Sequence, residues 1–85
     1  MTDVATPEGW ERDGDSIVKT YEFATFDAAM QFMASAVAPI TELNHHPTWS
    51  NTYNKVRVEL SSHDAGTVTD RDVRLARFLD EIYAT

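Results

Sequence analysis

Hydrophobic periodicity switches between two and about 3.6 residues along this chain, and that alternation narrows the fold more than any other feature. Ile17, Lys19, Tyr21 and Phe23 share one parity, with Val18, Thr20 and Glu22 on the other. All but Lys19 of the first set are apolar, which predicts a strand buried on one face. Phe26, Met30, Met33, Val37 and Ile40 then recur at spacings of three and four. They predict an amphipathic helix capped by Thr25 or Asp27, with Pro39 imposing a kink or a break before a final turn that contains Glu42. Val56, Val58 and Leu60 alternate with Lys55, Arg57, Glu59 and Ser61, which returns the pattern to a half-buried strand. The charges on its wet face, Lys55, Arg57 and Glu59, are read as solvated.

The remaining punctuation fits around these runs. Trp10 to Asp15 reads as a strand entering a hairpin, because Asp13-Gly14 suits positive φ. Asp64-Ala65-Gly66 turns the chain, and Thr69-Asp70-Arg71-Asp72 is a capping-box sequence. The helix it opens carries Val73, Leu75, Ala76, Phe78, Leu79 and Ile82 on more than one stripe. That excess predicts packing on the sheet and on another subunit, giving a homodimer or homotetramer through the C-terminal helix. The expected order is strand, strand, helix, strand, helix: an α+β fold with an antiparallel sheet of three to four strands and two helices on one face. Residues 1–8 are expected to form a flexible tail and residues 9–85 a single domain.

Composition removes whole classes of function. Seven Lys and Arg against fourteen Asp and Glu give a net charge of −7, the wrong sign for direct contact with nucleic acid or an anionic membrane. With no cysteine, disulfides, thiolate metal sites and cysteine nucleophiles are all excluded. No apolar run is long enough for a membrane span or a signal peptide core, so a cytoplasmic protein is expected.

Chemistry concentrates in one stretch, Glu42 to His63, which contains all three histidines. His45 and His46 are adjacent and precede Pro47, while His63 follows the strand. Imidazole is the side chain whose ordinary pKa lies nearest neutrality, so this grouping is what an acid–base site needs. Metal ligation fits poorly: adjacent residues rarely present both rings to one ion, and neither an i,i+4 histidine pair nor HExxH occurs. No GxSxG marks a serine nucleophile. Proton transfer remains, with Glu42 or Asp64 as orienting carboxylates.

The stretch ELNHHPTWSNTYNKVRVELSSHDAGTVTDRD resembles the signature region of the pterin-4a-carbinolamine dehydratases. The likeness rests on His45-His46-Pro47, Trp49, Tyr53-Asn54-Lys55, His63 and Asp72, and runs from about Trp10 to Ile82. It implies dehydration of a 4a-hydroxytetrahydropterin with no metal or organic cofactor. The resemblance further implies proton transfer by His45 and His63, with His46 in substrate contact. Asn44, Pro47, Trp49, Ser61, Ser62 and Asp64 are then expected against the pterin, and Glu42 and Asp72 in support. Two departures stand out: Thr41, with Glu42 one place later, occupies a position that usually carries an acidic or similar polar residue in the family, and the usual helix before Trp10 is expected to be missing. A relative of the same fold that binds pterin weakly, or serves as a dimerisation module, is the competing expectation.

Overall fold

The computed structural model describes residues 4–84. Four strands and two helices follow in the order β1 (Glu11–Asp13), β2 (Ser16–Glu22), α1 (Phe26–Leu43), β3 (Thr48–Thr52), β4 (Lys55–Leu60) and α2 (Asp70–Ala84). The sheet is antiparallel throughout, in the order β1-β2-β4-β3. The α+β class and the single sheet are therefore as the sequence predicts. Among the described residues no helix precedes Trp10.

One element went unanticipated. The stretch after Pro47 is two strands, not one, joined by the two-residue turn Tyr53-Asn54 between the paired Thr52 and Lys55. Tyr53 takes the left-handed φ of 52° that sequence reasoning looks for at glycine. Side chains hold the turn instead. Asn51 Nδ2 donates to the carbonyls of Tyr53 and Lys55, each at 3.0 Å, and Asn54 Nδ2 donates to the Phe23 carbonyl at 2.8 Å. At the other end of the sheet Gly14 takes φ 60° in the β1–β2 turn, as the Asp-Gly pair foretells.

Pleating sorts the sheet into two faces. Ile17 pairs with Leu60, Lys19 with Val58 and Tyr21 with Val56, placing the apolar set on the face that the helices cover. Ile17, Val56, Val58 and Leu60 are fully buried there. Val18, Thr20, Arg57, Glu59, Thr48 and Ser50 belong to the opposite face. Lys19 is the polar exception on the inner face, and its surroundings explain it. Its ammonium meets Asp80 of α2 at 2.9 Å, and the same carboxylate accepts from the Tyr21 phenol at 2.6 Å and the Trp10 indole at 3.2 Å. Burial first, and then the Asp80 hydrogen bond, pushes the Tyr21 phenol well above its ordinary 10.0. The phenol stays a donor, and α2 is tied to β2 and to Trp10, just ahead of β1.

The stripe expected on α1 is displaced. Ala29, Phe32, Ala36 and Ile40 are the buried residues, whereas Phe26 is 44 % and Val37 54 % exposed. Ala29 and Ala36 have no exposed surface, and the Phe32 ring between them packs against Tyr21 and Phe23 at centroid distances of 4.7 and 5.2 Å. Burial thus follows fit, not side-chain size. Thr25 is the N-cap, its hydroxyl accepting from the Ala28 N–H at 3.1 Å. The helix does not break at Pro39 but continues to Leu43. The amide bond that Pro39 removes is outweighed by the packing of Ala36 and Ile40 on either side of it.

Helix α2 buries Val73, Leu75, Ala76 and Leu79 and leaves Phe78 41 % exposed. Leu79 has no exposed surface. Replacing Leu79 with Ala is expected to cost about 2–5 kcal/mol, measured as a lowered urea midpoint with an unchanged m-value. An unaltered midpoint would contradict its place in the core.

Candidate active site

The site begins where α1 ends. Asn44 adopts the left-handed conformation, φ 49° and ψ 45°, and closes the helix as its C-cap. The His45 N–H then donates back to the Ile40 carbonyl at 3.3 Å. This reversal sends consecutive histidines to different places. His45 is buried, 8 % exposed, while His46 is exposed.

His45 points at the start of α2. Its Nε2 lies 2.5 Å from Asp72 Oδ1. Asp72 is itself completely buried, and its other oxygen accepts from the Ser62 hydroxyl and from the Thr69 N–H, both at 2.8 Å. Thr69 and Ser62 share a further hydrogen bond between hydroxyls at 2.6 Å. A buried carboxylate is tolerated only when donors surround it, and here three converge. The Thr69 contact is the backward half of the capping box read from the sequence. The same carboxylate that caps α2 therefore grips His45.

Ser62 extends this anchoring to the loop after β4. Its N–H donates to the Thr67 carbonyl at 3.1 Å, and its carbonyl accepts from the Gly66 N–H at 2.8 Å, with Gly66 at φ 70°. The loop is folded back on a fixed residue, and His63, the next in sequence, is left projecting from it.

His46 and His63 meet at a cleft of about 270 Å³ whose remaining lining is Asp15, Ser16, Thr48, Glu59, Ser61 and Gly66. That volume is just below the roughly 300–1,000 Å³ usual for small-ligand pockets. The unforeseen hairpin makes the meeting possible. Thr48 pairs with Glu59, so the residue pair entering β3 and the loop leaving β4 lie at the same end of the sheet. The β1–β2 turn closes the third side, where the Ser61 hydroxyl donates to the Asp15 carbonyl at 2.7 Å.

The expected site residues accordingly divide. His46, His63 and Ser61 line the cleft, whereas His45, Ser62 and Asp72 form the buried cluster behind it. Asn44 is an exposed helix cap, and Pro47 is half-buried ahead of β3. Trp49 shares the inner sheet face with Val58 and packs against the hydrophobic core, away from the cleft lining. Asp64 is exposed and paired with Arg71 at 2.5 Å; that guanidinium holds its carboxyl below the usual carboxylate range. Glu42 and Thr41 are exposed on the last turn of α1, outside the cleft lining. Sequence reasoning missed Asp15, Ser16, Thr48, Gly66 and Glu59. For Glu59 the signal was available in its parity, which places it on the open sheet face at the cleft end of β4. Among the described residues no group of three His, Cys, Asp or Glu side chains converges as metal ligands do, and no helix is long and apolar enough to cross a membrane.

A sequence model described as pterin 4 alpha carbinolamine dehydratase matches residues 2–82. This chain belongs to that family. A relative from Paraburkholderia xenovorans (strain LB400), by its name a provisional pterin-4-alpha-carbinolamine dehydratase, is 42 % identical over 85 residues, covering 98 % of this chain and 88 % of its own. Another of the same provisional name, from Opitutus terrae, is 47 % identical over 76 residues, covering 88 % of this chain and 78 % of its own. Among solved structures, a transcriptional coactivator/pterin dehydratase from Brucella melitensis superposes with a TM-score of 0.86 at 36 % identity, covering 89 % of this chain and 83 % of that one. A pterin dehydratase-like RuBisCO assembly factor of the alpha-carboxysome shares the fold at a TM-score of 0.74 and 14 % identity, covering 89 % and 88 %.

Removing the Asp72 carboxylate strands the His45 ring, the Ser62 hydroxyl and the Thr69 N–H at once. Asp72→Ala is expected to cost about 3–5 kcal/mol, read by urea titration. A loss no larger than that of an exposed control such as Asp70→Ala would contradict the anchoring role.

Proposed function

We propose that the protein dehydrates 4a-hydroxytetrahydropterins, with the reaction housed in the cleft between His46 and His63. The observation that carries this reading is the convergence of those two imidazoles on one small cleft at the end of the sheet. Family membership supplies the substrate class.

The reaction asks for two proton transfers near neutrality. The bond from C4a to its hydroxyl breaks as one group protonates the departing oxygen, which leaves as water. N5 loses its proton to a second group, and the freed electron pair forms the N5=C4a double bond of the quinonoid dihydropterin. Two imidazoles, one protonated and one neutral, are suited to the two tasks, and general acid–base catalysis of this kind contributes roughly 10²–10⁴-fold. His46 and His63 take these roles. This moves proton transfer from His45, to which the family resemblance assigns it, to its neighbour, because the Nε2 of His45 is committed to Asp72. His45 becomes the positioning residue that fixes the turn carrying His46, as Ser62 fixes the loop carrying His63.

Stopped-flow dehydration of a 4a-hydroxytetrahydropterin tests the proposal. The wild-type protein is expected to exceed the spontaneous rate, and His46→Ala or His63→Ala to lose at least about ten-fold in kcat while retaining the fold. Acceleration unaffected by either substitution would remove the cleft from the mechanism. Pterin binding without acceleration would instead favour a non-catalytic pterin-binding module.

A further inference from the structure

Glu59 is a carboxylate on the cleft wall that proton transfer does not use. It sits in β4, flanked by Val18 on β2 and Thr48 on β3, and so belongs to the rigid sheet and not to a loop. Its Oε2 accepts from the Ser16 hydroxyl at 3.2 Å and its Oε1 from Arg57 Nη1 at 3.2 Å. The two donors approach different oxygens and fix the plane of the carboxylate. Each oxygen of an ionised carboxylate accepts about two hydrogen bonds, so one site on each remains open. Glu59 lines the cleft with 34 % of its side chain exposed. Asp15 also lines the cleft but is an exposed residue of the β1–β2 turn. A group on a strand, held by two partners, positions a ligand more accurately than one on a turn.

A fixed carboxylate with one open site per oxygen is complementary to two adjacent N–H groups. We propose that Glu59 is a specificity residue that reads the amidine-like edge of the pterin, accepting from the ring N3–H and the 2-amino group. The inference deepens the proposed function and rests on it. It commits the cleft to 2-amino-4-oxopteridines: replacing the 2-amino group by oxygen sets a carbonyl against the carboxylate and leaves one good hydrogen bond where there were two.

The probes are pterin and lumazine, its 2-oxo counterpart, titrated against the wild-type protein by ligand fluorescence, beside Glu59→Gln and Glu59→Thr. The wild-type protein is expected to prefer pterin by roughly 10–100-fold, the weight of a hydrogen bond to a charged group. Glutamine offers one acceptor and one donor, which suits N3–H beside a 2-oxo group, so Glu59→Gln should shift the preference toward lumazine. Glu59→Thr, lacking the fork, should lose discrimination without gaining lumazine affinity. A merely structural role would weaken both ligands alike and leave their ratio unchanged. A wild-type preference for pterin that persists in both variants would overturn the assignment of Glu59 alone. Failure of the wild-type protein both to bind pterin and to accelerate dehydration would overturn the assignment together with the proposed function.

Discussion

The buried carboxylate of Asp72 is the contact on which the arrangement of this protein depends. It receives the Nε2 of His45, the hydroxyl of Ser62 and the N–H of Thr69, three donors from three chain segments. The end of α1, the loop after β4 and the start of α2 are thereby joined at one point inside the molecule. Each of the first two segments presents its next residue, His46 or His63, to the cleft. A buried carboxylate costs several kcal/mol of desolvation unless its partners are all in place. That penalty makes the junction discriminating: an arrangement that displaces any of the three segments leaves a charge or a donor unsatisfied.

Asp80 does the corresponding work further along α2. Its carboxylate accepts from Lys19, Tyr21 and Trp10, fastening the helix to β2 and to the residue just ahead of β1. The first and third turns of one helix are thus each tied to the rest of the fold by a carboxylate, with Leu75, Ala76 and Leu79 buried between and beside them. The hydrophobic layer supplies most of the driving force, and the two polar junctions fix the alignment of the layers. The cleft then needs no elements of its own. It forms where the β1–β2 turn, the start of β3 and the end of β4 come to the same end of the sheet.

Much of this was legible in the sequence, and the failures have physical causes. Strand parity located the buried faces of β2 and β4 because Val56, Val58 and Leu60 alternate without interruption and Ile17 and Tyr21 share a parity broken only by Lys19, and the Asp13-Gly14 hairpin and the Thr69 cap carried their usual signatures. The β3–β4 hairpin was hidden because its turn uses Tyr53 at positive φ, supported by Asn51 and Asn54 instead of glycine. The buried stripe of α1 was met at Ile40 but otherwise misplaced by one position, because the alanines Ala29 and Ala36 counted for less than larger side chains such as Val37. Family resemblance located all three histidines, but adjacent residues at a helix end can point in opposite directions. The left-handed cap at Asn44 and the partner at Asp72 give His45 and His46 their different surroundings. Glu59 was passed over since a charge on a wet strand face is ordinarily just solvated.

On the proposed function, the three histidines divide between a pterin cleft and a buried anchor. Side-chain NMR of the imidazole resonances during titration with pterin tests it most directly. The His46 and His63 signals are expected to move together with a common saturation curve, while those of His45 stay nearly fixed. Perturbation concentrated on His45, with His46 and His63 unmoved, would contradict it.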